Sequence, residues 1–318
     1  MNRLIIIDGN AILHRAFHAL PPLTSPDGTL TNAAYGFTSM LIRLISDLTP
    51  SHIAVAFDRP KPTFRKELFK DYQIKRPKMD DGLAAQIPMI HDVLSAMHIP
   101  VFEQDGFEAD DVIGTVCHNI PKTVDQVIIV TGDRDLLQLV TDTIKAYMPT
   151  KGLSEAKLYG PAETRERLGV DPTQIPDYKA LAGDQSDNYP GVPGVGPKTA
   201  QDLITKYQTV EQLYKSLEAK KKIIDISNTL QQKLRTHKEL ALLSKTLATI
   251  RIDVPIETDI SPLTKEQLKT PEVIKQFELL GFTSLIKRLL LDGKSGTKGL
   301  QKKKEERKKT VDEQMSLV

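Results

Sequence analysis

Three short apolar runs of this chain end at acidic residues, and that arrangement constrains the fold more than any other feature. Residues 3–7 (RLIII) run into Asp8, 52–57 (HIAVAF) into Asp58, and 126–131 (QVIIVT) towards Asp133 and Asp135. Each run holds β-branched residues and is bounded by polar ones, which predicts a buried strand. Residues 144–148 (IKAYM) are a weaker strand candidate. Between the runs, 32–48 and 86–97 place apolar residues at helical spacing. Strands alternating with helices predict an α/β fold, with a mainly parallel central sheet and helices on both faces. Parallel strands end at one edge, and ligands bind there.

After residue 150 the strand signal fades, and helices are expected over 161–169, 176–182, 197–207, 228–246 and 272–290. The chain thus reads as an α/β core over 1–160, a helical region over 161–292 and a tail over 293–318. From Lys294 onward eight Lys/Arg face four acids, so the tail carries +4 and the body −2 of the net +2. Such a tail is expected to be disordered. A length of 318 residues with 40% hydrophobic and 26% charged is ordinary globular composition. It leaves no room for a polymerase or helicase beside a separate nuclease. No apolar run approaches the ~18 residues of a membrane span, and the start, MNRLIIIDGN, is too weakly apolar for a signal peptide. The single Cys117 excludes an internal disulfide and a cysteine-based zinc site, and suits a reducing cytoplasm.

The acids form groups. Asp8, Asp58, Asp133 and Asp135 follow strands; Glu108, Asp110 and Asp111 (FEADDVIGTV) open a helix; Asp184 and Asp187 (GDQSDN) lie on a later turn. Converging, these side chains would repel one another severely unless cations sat among them. Carboxylates without nearby cysteine select Mg²⁺ or Mn²⁺. Each group also has a plainer account. A single Asp after a strand is usually a turn residue, acids at a helix start favour the dipole, and GDQSDN is an ordinary polar turn. Their joint occurrence is what favours metal binding. His14 and His18 lie four apart, but the glutamate of a zinc protease motif is missing, so they read as packing or phosphate-side residues. GKS at 293–295 lacks the upstream glycine of a phosphate loop.

Two further stretches suit nucleic acid. GVPGVGPKTA at 191–200 runs into a periodic helix; Gly191, Gly194 and Gly196 allow tight turns, and Lys198 and Thr199 open the helix. Its N–H groups could hold a phosphate without reading bases, and a plain linker fits equally. Residues 60–82 interleave Arg65, Lys66, Lys70, Lys75, Arg76 and Lys78 with Phe64, Phe69 and Tyr72. Charge tracking phosphates and rings stacking on bases suit a single strand; a solvated loop is the plainer alternative.

Together, IIIDGNAILHRAFHAL, YGFTSML, AVAFDRPKPTFRKELFKDY, GFEADDVIGT, VTGDRDLLQLV, YKALAGDQSDNYPGVPGVGPKTA and LLGFTSLIKRL resemble the 5′→3′ exonuclease/flap-endonuclease family, as found at the N-terminus of bacterial DNA polymerases. The resemblance covers residues 3–291. It implies a PIN-like nuclease core with a helical arch near 60–82, and a helix–hairpin–helix over 185–207 that grips duplex backbone with a K⁺ ion. It implies that Asp8, Asp58, Glu108 and Asp110 serve a first metal, and Asp111, Asp133, Asp135, Asp184 and Asp187 a second. Arg15, Tyr35, Tyr72 and Arg76 fall at its phosphate or base contacts. One departure is Gln73, where the family pattern Tyr-Lys-x-x-Arg has lysine; Lys75 stands nearby.

The expected activity is metal-dependent hydrolysis of DNA at 5′ flaps and 5′ ends, including RNA primer–DNA, by a monomer in the bacterial cytoplasm, at the nucleoid. Two Mg²⁺ or Mn²⁺ ions about 4 Å apart would activate water and stabilise the leaving oxygen. Arg76 and Lys75 would offset charge on the phosphate. A DNA polymerase is the expected protein partner, attached or separate. A PIN-like ribonuclease and a non-catalytic binder of DNA structures are the rival readings.

Overall fold

The three acid-ended runs become adjacent parallel strands in the computed structural model, which describes residues 1–151, 155–219 and 226–291. Six strands form one sheet: β1 (Arg3–Asp8), β2 (His52–Ala56), β3 (Val101–Phe102), β4 (Gln126–Val130), β5 (Ile144–Lys151) and β6 (Glu155–Tyr159). Their order is β3-β2-β1-β4-β5-β6, and all neighbours are parallel except β5 and β6. The chain leaves β1 in one direction through β2 and β3, then returns to its other side at β4. That reversal opens a crevice at the carboxyl ends of β1 and β4. The sequence reading missed β3, only two residues long, and β6, an edge strand with mostly exposed residues.

Both faces of the sheet are covered, which explains the unbroken apolar runs. Ile5, Ile7, Ile53, Val55, Ile128 and Val130 pack on one side with residues of the helices Asn32–Leu48 and Ile87–Ala96. Leu4, Ile6, Ala54, Ala56, Val127 and Ile129 pack on the other with the helix Ala109–His118. Each such isoleucine, valine or leucine contributes about 1.5–3 kcal/mol by leaving water.

The region after residue 160 divides differently from expectation. The helices Pro161–Leu168, Ile175–Ala182, Pro197–Tyr207, Val210–Glu218, Asn228–Thr236 and Lys238–Ala248 share a second core with Ala146, Met148 and Tyr159 from β5 and β6. Residues 250–291 instead return to the sheet. Ile250, Val254 and Ile260 cover one face, and Val273, Phe277, Phe282 and Leu285 the other. Periodicity reveals that a helix has an apolar side but not which surface that side meets. The stretch expected as one helix at 272–290 is two, Pro271–Leu279 and Thr283–Leu291, broken by Gly281 at φ +74°. Residues 293–318 and the GKS sequence lie outside the described residues. No described helix is long and apolar enough to cross a membrane.

Candidate metal centre

Secondary structure delivers the acids to the crevice. Asp8 ends β1 and caps the helix Gly9–Ala19, its carboxylate accepting from the Ala11 N–H at 3.0 Å. Its other oxygen accepts from the Thr131 hydroxyl at 2.7 Å, and the same hydroxyl accepts from the Asp133 N–H at 2.9 Å. Thr131 thereby ties the ends of β1 and β4 together. Gly9 is required here, because a Cβ would come within 2.5 Å of the Phe57 ring that leads into Asp58. Asp58 accepts from the Ala109 N–H at 2.7 Å, at the amino end of the helix that carries Asp110.

Asp135, Asp184 and Asp187 converge most tightly, with ligand oxygens all within 4.8 Å of one another. The Lys179 ammonium sits between Asp135 and Asp184 and donates to both. Glu108 joins the two sides of the crevice through Tyr72, whose hydroxyl lies 3.2 Å from Glu108 and 3.4 Å from Asp187. Gln73 donates from its side chain to Asp187 at 3.0 Å and from its backbone to the Asp187 carbonyl at 2.8 Å.

Burial and mutual repulsion act on these groups together. Burial, then the neighbouring Asp58 and Asp133, push the Asp8 carboxyl up to about 7. Burial raises Glu108 to about 7 against the pull of Arg65. Asp135 also rises to about 7, burial and Asp133 outweighing Lys179. Asp110 rises well above the carboxylate range by burial and by Asp133, Asp8, Glu108 and Asp135. Asp58 and Asp187 move up for the same first reason, although Asp58 keeps exposed surface at the crevice mouth. Asp110 feels Asp8 and Glu108 as well as Asp133 and Asp135, so both acid sets lie in one field.

A cation is what such a field stabilises. The donor set is entirely carboxylate, and an ammonium already occupies the space between two of its members. The residues therefore fit a hard divalent ion. The raised values also fix the sign of the pH dependence. Between the ordinary 3.8–4.5 and about 7, the folded chain keeps protons that the unfolded chain has released. Metal-free stability should thus fall as pH rises through that window. Uptake of Mn²⁺ must expel the same protons, so apparent affinity should climb with pH across that window. Calorimetric Mn²⁺ titrations across the window check this, and a flat profile would contradict it.

Four sequence-predicted residues do other work. Asp111 was expected at the second metal, but it is fully buried and all its acceptor positions are used. It takes bidentate bonds from Arg65 at 2.6 and 2.8 Å, the Glu108 N–H at 3.1 Å and the Arg251 N–H at 2.8 Å. Its role is the helix capping box and a buried ion pair. Arg65, expected to meet DNA, is spent on that pair and on the carbonyls of Leu247 and Thr249. Tyr72, expected to meet a base, is 3% exposed and stacks on Tyr189. Gly191 is buried at φ +60°, where a Cβ would lie 2.3 Å from the Gly183 nitrogen, so it lets the hairpin back onto the acidic turn.

The remaining expected contacts lie on accessible surface. Arg76 and Lys75 are exposed, and Arg76 stands close enough to Asp58 and His14 to act on both. Arg15 is half-buried on the helix Gly9–Ala19. Tyr35 is half-buried, its hydroxyl 2.9 Å from that of Ser284. Gly194, Gly196 and Lys198 are exposed and Thr199 half-buried where the helix Pro197–Tyr207 begins; Lys198 pairs with Asp202 at 2.9 Å. His14 and His18 are exposed, their ring centroids 5.6 Å apart, and they belong to no group of three metal-ligating residues among those described. Sequence reasoning missed Thr131, Lys179 and Tyr189. Only Lys179 left a signal, as a lysine one turn before GDQSDN beside the apolar Ala180 and Leu181.

A carboxylate-lined crevice at the switch point of a parallel sheet defines a class of metal-binding α/β proteins, and comparisons narrow the class. Residues 3–169 match the 5′-3′ exonuclease N-terminal resolvase-like domain, and residues 170–271 the 5′-3′ exonuclease C-terminal SAM fold. DNA polymerase I of Bacillus subtilis is 42% identical over 288 residues, covering 90% of this chain and 32% of that protein. DNA polymerase I of Bacillus caldotenax is 40% identical over 287 residues, with the same shares. The chain therefore spans about a third of the length of these curated relatives. In fold it is similar to the T5 D15 protein co-crystallised with metal ions, at TM-score 0.63 and 22% identity, covering 91% of this chain and 99% of that one. The catalytic core of Rad2 in complex with a DNA substrate superposes at TM-score 0.56 and 17% identity, over 88% and 91% of the two chains. The chain belongs to the 5′-3′ exonuclease family.

Proposed function

We propose that this chain hydrolyses DNA phosphodiester bonds at 5′ flaps and 5′ ends. The observation that carries the reading is one crevice holding Asp8, Asp58, Glu108 and Asp110 beside the Asp135–Asp184–Asp187 group. Two Mg²⁺ or Mn²⁺ ions bound there would supply an activated water and stabilise the leaving 3′ oxygen. The protein's own share is positioning and charge. Thr131 and the Ala11 N–H orient Asp8, and the Ala109 N–H orients Asp58. Arg76, exposed beside Asp58, faces where a scissile phosphate would enter and offsets its charge. Lys75, also exposed and next to it in the chain, would add charge.

The hairpin 191–196 with Lys198 and Thr199 would hold duplex backbone away from the crevice, and a K⁺ ion held there would add positive charge toward the phosphates. It offers N–H groups and no base-reading side chains, so selection is by DNA structure. Gln73 is neutral and bound to Asp187, so it lowers positive charge at the entrance without removing a carboxylate. The relatives' polymerase suggests that the nick left after cutting is extended by a DNA polymerase, in the same chain or another.

A product-length assay on a labelled 5′-flap DNA, with and without Mg²⁺, tests this. The expected result is Mg²⁺-dependent cutting near the flap junction. Cutting of RNA in preference to flap DNA would favour a PIN-like ribonuclease. Binding of the flap with no cutting, even with Mn²⁺, would establish a DNA-structure binder.

A further inference from the structure

The Asp135–Asp184–Asp187 group already contains a cation of its own. The Lys179 side chain is 12% exposed, between Asp135 at 16% and Asp184 at 13%. Burial, the largest single influence, would lower this ammonium, but its acidic neighbours Asp135 and Asp184, with which it is paired, together hold it up, so it stays charged. It therefore balances a group that would otherwise be strongly repulsive. A second observation sits beneath it. Tyr189 is 2% exposed, and its hydroxyl has no hydrogen-bond partner. That hydroxyl lies in the field of Lys179, Asp135, Asp184 and Asp187. Its ring is fixed by stacking on Tyr72, with centroids 6.4 Å apart at 14°. A buried hydroxyl without a partner is costly unless another state of the molecule supplies one.

We propose that Lys179 is a resident counter-ion of this carboxylate group, that a divalent ion enters by displacing its ammonium, and that the Tyr189 hydroxyl accepts the ammonium once displaced. The inference rests on the metal-binding reading above and adds a competitor to it. A lysine suits this use because its compact charge rides on a flexible stem. Among the described residues Lys179 pairs with Asp135 and Asp184 and with neither Asp8 nor Asp110. The two metal positions should therefore fill in order, that near Asp8 first and that near Asp184 at higher ion concentration. The protein also remains folded without metal because Lys179 stands in for it.

Mn²⁺ binding to the full chain, followed by calorimetry and by electron paramagnetic resonance, tests the proposal. Wild type should show a tighter and a weaker step. In Lys179→Met the weaker step should tighten roughly tenfold, the scale of one removed cation at partly buried distance. In chelator that variant should unfold at lower temperature than wild type, and Mn²⁺ should restore it. Tyr189→Phe should weaken the same step several-fold, yet have no effect in the Lys179→Met background, because the hydroxyl acts only on the displaced ammonium. An unchanged or weaker second step in Lys179→Met overturns the proposal. If Lys179→Met does not fold in chelator, Lys179→Arg decides. Retention of the wild-type step supports a counter-ion, and a roughly tenfold gain despite the retained charge overturns it. A wild-type chain that takes up no Mn²⁺ at all would sink the metal-centre reading itself, a separate outcome.

Discussion

Replacing Asp133 and Asp135 together by asparagine should lower Mg²⁺-dependent cleavage of a 5′-flap DNA by roughly 10³-fold or more, the scale of losing an electrostatic stabiliser of the transition state. The pair is chosen because its members serve different parts of the crevice. Asp133 acts on Asp8 and Asp110, whereas Asp135 belongs to the group with Asp184 and Asp187. Asparagine keeps the side-chain oxygen that accepts the Asp135 N–H at 2.8 Å, so the turn after β4 should survive. The change also removes two of the charges that raise Asp110. Metal-free unfolding should therefore occur no lower than in wild type, separating lost chemistry from lost fold. A double variant that cuts at the wild-type rate would refute the assignment of these carboxylates to metal.

Arg65→Met should cost about 3–5 kcal/mol of stability, because it leaves Asp111 as a charge buried without its partner. Both side chains are all but inaccessible, at 3% and 0%. The same guanidinium also satisfies the carbonyls of Leu247 and Thr249, where the chain leaves the helical region for the sheet. Losing it unpins that crossing as well as the helix that presents Glu108 and Asp110. At about 2–4 °C per kcal/mol for a domain of this size, melting should fall by about 10 °C. The companion Arg65→Met/Asp111→Leu removes both charges and should recover much of the loss, since a well-packed apolar pair often equals a buried ion pair. Thermal and urea unfolding in chelator measure both. A loss under ~1 kcal/mol in the single variant, the size of an exposed pair, would show that the ion pair is not what joins these segments.

The acids illustrate what a sequence can and cannot convey. That Asp8, Asp58, Asp133 and Asp135 share one edge follows from strands of like direction, and the parallel pairing bears this out. Asp110 and Asp111 are neighbours of one residue type, yet one enters the crevice and the other is sealed beneath it with Arg65. The difference is the direction each side chain takes from a helix end. It depends on a basic residue 46 positions away that sequence alone cannot orient. Arg65 and Tyr72 misled for the same reason. In a stretch of alternating cations and rings, composition suits DNA, but the fold turns some of them inward to meet buried acids.

Local patterning determined the parts of this protein that depend on neighbours along the chain: the apolar strands, the helical spacing, the acids that end them, and the family to which they belong. Tertiary structure alone decided which carboxylates remain free, that residues 250–291 close back over the sheet, and that Lys179 and Tyr189 lie by the Asp135–Asp184–Asp187 carboxylates. These outcomes rest on contacts between distant residues. Periodicity records that a side is apolar or charged, whereas burial and repulsion depend on what the folded chain brings to it.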